Sequence, residues 1–136
     1  MAAANKFEGF ALELGIGDHH LDTGGDTFNI YLTNNAPSAS ADSIKTDLAG
    51  ITEQNGYAPA DTANDYTETS GTGTMTCVDV TVTATGTVGP FQYVVLYNDT
   101  HASDALALWW DYGSAITLAN GETFKADFAA STLTIA

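Results

Sequence analysis

From residue 62 onward the sequence is a train of short runs in which apolar and polar residues alternate, separated by Gly, Pro and Asn. In the clearest of them Val78, Val80, Val82 and Ala84 alternate with Asp79, Thr81, Thr83 and Thr85. A period of two sends the two sets to opposite faces of a strand. A chain built this way must pair strand with strand and cover its apolar faces with another layer. No 10–15-residue helical segments fall between the strands, which excludes a parallel α/β arrangement. The expected fold is mainly β: an antiparallel β-sandwich or jelly-roll-like barrel with a short N-terminal helix.

The individual elements follow from the same rules. Residues 5–17 read as the helix, because Phe7, Phe10, Ala11 and Leu14 recur at i, i+3, i+4, i+7. Asn5 is the expected N-cap, Glu8 stands at the capping-box position, and Gly15 and Gly17 end the helix. Residues 27–33 form the first strand, with Phe28, Ile30 and Leu32 on one face. Residues 42–52 suggest one or two helical turns, and Asn55-Gly56 a tight turn. A polar edge strand is expected over 62–69 and a longer strand over 74–84. Residues 91–97 are apolar on both faces, as in a central strand covered from two sides. Residues 105–112 make another strand, with Leu106, Leu108 and Trp110 on one face. Asn120-Gly121 predicts a hairpin between 114–119 and 122–128. Residues 131–136 close the chain as a short strand.

At 136 residues the chain fits one domain, residues 1–136, and the first five could form a loose arm that orders against a partner. Charge narrows its partners. There are 17 Asp and Glu against three cations, Lys6, Lys45 and Lys125, for a formal net charge of -14, and there is no arginine. Binding to a phosphate backbone requires clustered Lys and Arg, so nucleic acid is excluded, and anionic membranes for the same reason. No apolar run is long enough to span a bilayer. The N-terminus lacks the basic start and apolar block of a signal peptide, so synthesis in a cytoplasm is expected. The single Cys77 allows no internal disulfide and reads as a buried thiol.

Four groups of residues invite a chemical reading. His19, His20, Asp22 and Asp26 are the densest set of possible ion ligands. However, adjacent histidines in an extended segment point apart, so no metal site is assigned. Asp99, His101, Ser103 and Asp104 put the groups of a hydrolytic triad into one loop. Triads gather their members from separate segments, and no Gly-x-Ser-x-Gly occurs. Asn98-Asp99-Thr100 matches a glycosylation acceptor that matters only in a eukaryotic secretory pathway. Trp109-Trp110 sends one indole to each face of its strand, so one could enter the core while the other meets solvent, a sugar or another chain. No catalytic residue, cofactor or metal is assigned.

A string of short motifs runs through the chain in order. It begins with Phe7-Glu8-Gly9-Phe10, then Asp26-Thr27 with Ile30-Tyr31-Leu32-Thr33-Asn34 and Ala36-Pro37. Ile51-Thr52-Glu53 and Asn55-Gly56-Tyr57 follow, and then Gly89-Pro90-Phe91 with Tyr93-Val94-Val95-Leu96-Tyr97-Asn98-Asp99-Thr100. The last are Trp110-Asp111-Tyr112-Gly113, Thr117-Leu118-Ala119 and Gly121-Glu122-Thr123-Phe124. In this the chain resembles small virion proteins of tailed bacteriophages, and among them capsid decoration (cement) proteins. The resemblance implies a non-enzymatic protein on the capsid exterior, made in the cytoplasm of the bacterial host. Its partners would be an HK97-like major capsid protein and copies of itself in a homotrimer. A small tail, connector or fibre-associated protein and a carbohydrate- or host-surface-binding module are the alternatives. Lys6, Phe7, Trp109, Trp110 and Lys125 are the candidate partner-interface residues.

Overall fold

The computed structural model describes residues 3–129 and 131–136. Strands take up 44% of the chain and helix 8%, all strand pairs are antiparallel, and the layers form a β-sandwich-like fold. The long sheet contains β1 (Asn5–Lys6), β8 (Leu106–Leu118), β7 (Val88–Asn98), β2 (Phe28–Thr33) and β3 (Ala60–Asp61), in that spatial order. Two short sheets accompany it. One orders β10 (Leu133–Ile135), β5 (Thr72–Thr76) and β4 (Asp65–Thr69); the other pairs β6 (Val80–Thr83) with β9 (Thr123–Ala126). Among the described residues the one α-helix, α1, spans Glu8–Gly15. Among the described residues, no helix is long and apolar enough to cross a membrane.

The main core brings residues of the long sheet (Ile30, Leu32, Val94, Leu96, Leu108 and Trp110) together with Met75, Val82 and Phe124 of the short sheets and Phe10 of α1. A second, smaller core holds Phe7, Tyr31, Leu48, Val95, Tyr97 and Leu106. The central position and two-sided burial expected for 91–97 are therefore found in β7. Strand β2 shows the alternation of Phe28, Ile30 and Leu32, but its opposite face is also buried, because Tyr31 packs into the second core.

Several expectations are corrected. Asn5 is not a helix cap: it pairs with Trp109, and Lys6 with Leu108, as a two-residue edge strand. Phe7 takes the N-cap position with extended dihedrals and no side-chain cap bond. The amides of Phe7 and Glu8 instead donate to the carbonyls of Ala107 and Ala39. Of the first five residues, Met1 and Ala2 lie outside the described residues, and Ala3 and Ala4 are exposed. The run 74–84 is broken at Cys77, so that β5 and β6 belong to different sheets and Val78 is left exposed. Cys77 itself is partly buried, and burial raises its thiol pKa. Only a single 3-10 turn, Lys45–Asp47, forms within 42–52.

Of the two Asn-Gly pairs, the first makes the expected tight turn and the second does not close the expected hairpin. At Asn55-Gly56 both residues have positive φ, 54° and 87°, and the Tyr57 amide donates to the Gln54 carbonyl. That is the type I′ turn. At Asn120-Gly121 only Gly121 has positive φ, and the Glu122 amide donates to Ala119, as in a type II turn. A type II turn splays the strands it joins. Strands β8 and β9 accordingly leave in different sheets instead of forming a hairpin. A bulge near Ala107 changes another expectation. Leu96 pairs with Leu108 but Tyr97 with Leu106, so Leu106 turns into the second core, away from Leu108 and Trp110.

Candidate functional site

The densest polar constellation lies where the end of α1, the 16–27 loop and the loop after β7 meet. Its position starts with Gly17. With φ at +86°, Gly17 lets the chain reverse, its amide donates to Leu14, and the Asp18 amide donates to Glu13. This is a Schellman closure. It sets Asp18 beside Glu13 and directs His19 inward, where it is 4% exposed and stacks on Phe10 at 5.1 Å.

Asn98, at the end of β7, organises the cluster. Its Oδ1 accepts from the backbone amides of Thr100 (3.0 Å) and His101 (3.2 Å). Two N–H donors facing the oxygen fix the orientation of the amide. The Nδ2 then points at Asp26 Oδ2 (2.7 Å) and His19 Nδ1 (2.9 Å), with the Asp18 carbonyl further off at 3.4 Å. His19 Nδ1 must therefore accept, so the neutral ring carries its proton on Nε2. That Nε2 is buried without a partner. Burial, then the facing His101 ring, lowers the His19 pKa from 6.5 to about 4. Burial raises the Asp26 carboxyl, but bonds from the His20 amide and Asn98 outweigh it and hold the group below its ordinary value.

The expected ion ligands do not converge. His19 is buried and His20 exposed, on opposite sides of the segment, as adjacent residues of an extended chain must be. The carboxylates and imidazole that do converge are Glu13, Asp18 and His101, whose ligand atoms lie within 4.8 Å of one another. These are the residues that could hold a metal. Their proton arrangement opposes it. His101 Nδ1 accepts from the Ser103 amide at 3.1 Å, so its proton sits on Nε2 and is shared with Glu13 at 3.2 Å. A metal-bound histidine presents a bare nitrogen to the ion and donates from the other one. Here the arrangement is reversed, and the three residues act as a clamp between α1 and the 98–104 loop.

The same geometry answers the triad reading. Both nitrogens of His101 are engaged, one by Glu13 and one by the Ser103 backbone amide, which leaves no free base for a nucleophile. The Asn98 side chain is fully buried and hydrogen-bonded, so it offers no accessible nitrogen for glycosylation. Sequence reasoning missed Glu13 and Asp18 as neighbours of His101. No local spacing links a helix end to a loop more than 80 residues away.

The candidate interface residues separate into two groups. Phe7 is 0% and Trp110 5% exposed, so neither offers a face to another chain. Trp110 packs edge-on to Phe128 at 5.2 Å in the main core. Trp109 is half-buried against Phe7, with ring centroids 4.6 Å apart. Lys6 and Lys125 are exposed, and Lys125 pairs with Asp79 at 3.1 Å. Compared with family models, with curated proteins and with solved structures, the chain finds no match.

Proposed function

We propose that the chain is a non-enzymatic structural protein of a tailed-phage virion, acting as a capsid decoration protein on the outer shell. The ordered motif string carries this reading. Its members supply the fold's framework: β2, β7, β8 and residues of the turns at Asn55-Gly56 and Asn120-Gly121. The geometry is compatible with such a role. A strand-rich body offers a rigid surface, and exposed apolar side chains (Leu12, Ile16, Val78 and Ile135) are available for burial by neighbours. The partners in this reading are the HK97-like shell protein and two further copies of the chain. Lys6 marks the side that meets other chains, and the acid-rich surface, with the Lys125–Asp79 pair on it, faces outward. Many copies on a lattice make modest individual contacts sufficient.

Mass spectrometry and cryo-EM of virions whose genome encodes the chain test the proposal. Density at repeated positions across the shell is the expected result. A handful of copies confined to the tail or portal would favour the tail or connector alternative, and absence from the particle would overturn both.

A further inference from the structure

We infer that the bulge of β8 around Tyr112 is a binding site for a neutral sugar ring. Strand β8 departs from its register against β7 at three places, and the largest insertion lies between Phe91 and Tyr93. Phe91 pairs with Ile116 and Tyr93 with Asp111, so residues 112–115 stand opposite Gln92 alone. An insertion of this kind re-aims side chains, and bulges concentrate at functional sites. The bulge is fastened rather than slack. Asp111 Oδ1 accepts from Gln92 Nε2 across the strands at 2.9 Å and from the Gly113 amide at 2.7 Å. Gly113, with φ at +92°, takes the left-handed backbone conformation next to Tyr112 within the bulge.

The product of this arrangement is an aromatic ring held out of the core. Tyr112 is 50% exposed, and its ring stands edge-on to buried Phe124 at 5.3 Å, which fixes its orientation. It forms one wall of an open cleft of about 280 Å³ that Thr123, Phe124, Lys125 and Asp127 complete. That volume lies just below the usual range of ligand clefts and admits no more than a single ring. The wall chemistry selects the ligand class. A tyrosine face packs against the C–H face of a pyranose, while a hydroxyl, an ammonium and a carboxylate around it can both donate to and accept from sugar hydroxyls. An anionic sugar is disfavoured, because Lys125 is already paired with Asp79 and the chain carries a net charge of -14. The two tryptophans that sequence suggests for such a role are turned to the cores; the half-exposed aromatic is the tyrosine three residues beyond Trp109.

The experiment is an amide-resolved NMR titration of the full chain with methyl glucoside, methyl galactoside, methyl mannoside and N-acetylglucosamine at millimolar concentrations. Binding of at least one, with shifts confined to residues 111–115 and 123–127, is expected. Tyr112→Ala should weaken it about tenfold or more, the loss of one aromatic contact. Tyr112→Phe should retain it, and thermal melts should show both variants folded, since the ring is half in solvent. No shift with any of the four sugars overturns the inference, as does undiminished binding by Tyr112→Ala. Sialic acid binding as tightly as the neutral sugars would overturn the assignment of ligand charge.

Discussion

Asn98 donates from its side-chain nitrogen to Asp26 at 2.7 Å across 72 residues of chain, and the same nitrogen faces His19 Nδ1 at 2.9 Å. One buried amide thereby joins the end of a central strand to the loop that follows the helix. Replacing it by alanine strips partners from a carboxylate, an imidazole and two backbone amides together. Asn98→Ala should lower the unfolding free energy by about 2–4 kcal/mol, since buried groups left unpaired lose more than the bond itself supplied. Urea denaturation measures this; a change within about 0.5 kcal/mol, the scale of ordinary surface substitutions, would refute the organising role.

The buried His19 makes stability depend on pH. Its folded pKa of about 4 lies below the unfolded value of 6.5, so between those limits the unfolded chain binds more protons. Stability from this group is complete above pH 6.5 and is lost as pH falls toward 4. The drop between pH 7 and pH 4.5 should be about 2–3 kcal/mol. Denaturation of the wild type and His19→Gln at both pH values isolates it. The variant should lack this part of the slope, and an identical slope in the two proteins would contradict the assignment.

Two glycines with similar dihedrals should respond differently to alanine. Gly56 and Gly121 both have φ of +87°. A Cβ at Gly56 would collide with the Thr83 carbonyl oxygen, whereas the space at Gly121 is open. Gly121→Ala should destabilise by about 1–2 kcal/mol, the penalty of the left-handed region for an L-residue. Gly56→Ala should exceed it, because backbone must also move. Equal melting temperatures for the two variants would count against the steric part of the argument.

Self-repulsion should also be measurable. With a net charge of -14, the folded chain concentrates like charges, and the Lys125–Asp79 pair relieves little of this. Moderate NaCl should raise the melting temperature by screening. A fall between low salt and moderate NaCl would show that attractive pairs dominate instead.

The tryptophan pair gives a test of the two cores. Trp110→Ala opens the main core and should cost about 3–5 kcal/mol. Trp109→Ala removes a half-buried ring from the rim of the second core and should cost less. Reversal of that order in chemical denaturation would mean the faces of β8 are misassigned.

Local information in the sequence determined a good deal. Alternation at residues 27–33 and the doubly apolar run at 91–97 pointed to strands β2 and β7, because side-chain period and β-branched or aromatic shape act over a few residues. The presence of a helix and its stop at Gly17 were legible for the same reason, but its start was not, because Asn5 and Lys6 are taken by pairing with β8. What tertiary structure alone decided was which strands share a sheet and which side chains meet. Asn120-Gly121 specified a turn, yet whether that turn closes a hairpin depended on partners elsewhere: β9 pairs with β6, and Leu118 with Val88. One bulge at Ala107 moved Leu106 between cores, and another set Tyr112 in solvent. The Glu13–Asp18–His101 and Asn98–Asp26–His19 groups were invisible along the chain. Their members come together only once the long sheet has aligned segments more than 70 residues apart, and no dihedral preference or residue spacing encodes a contact of that range.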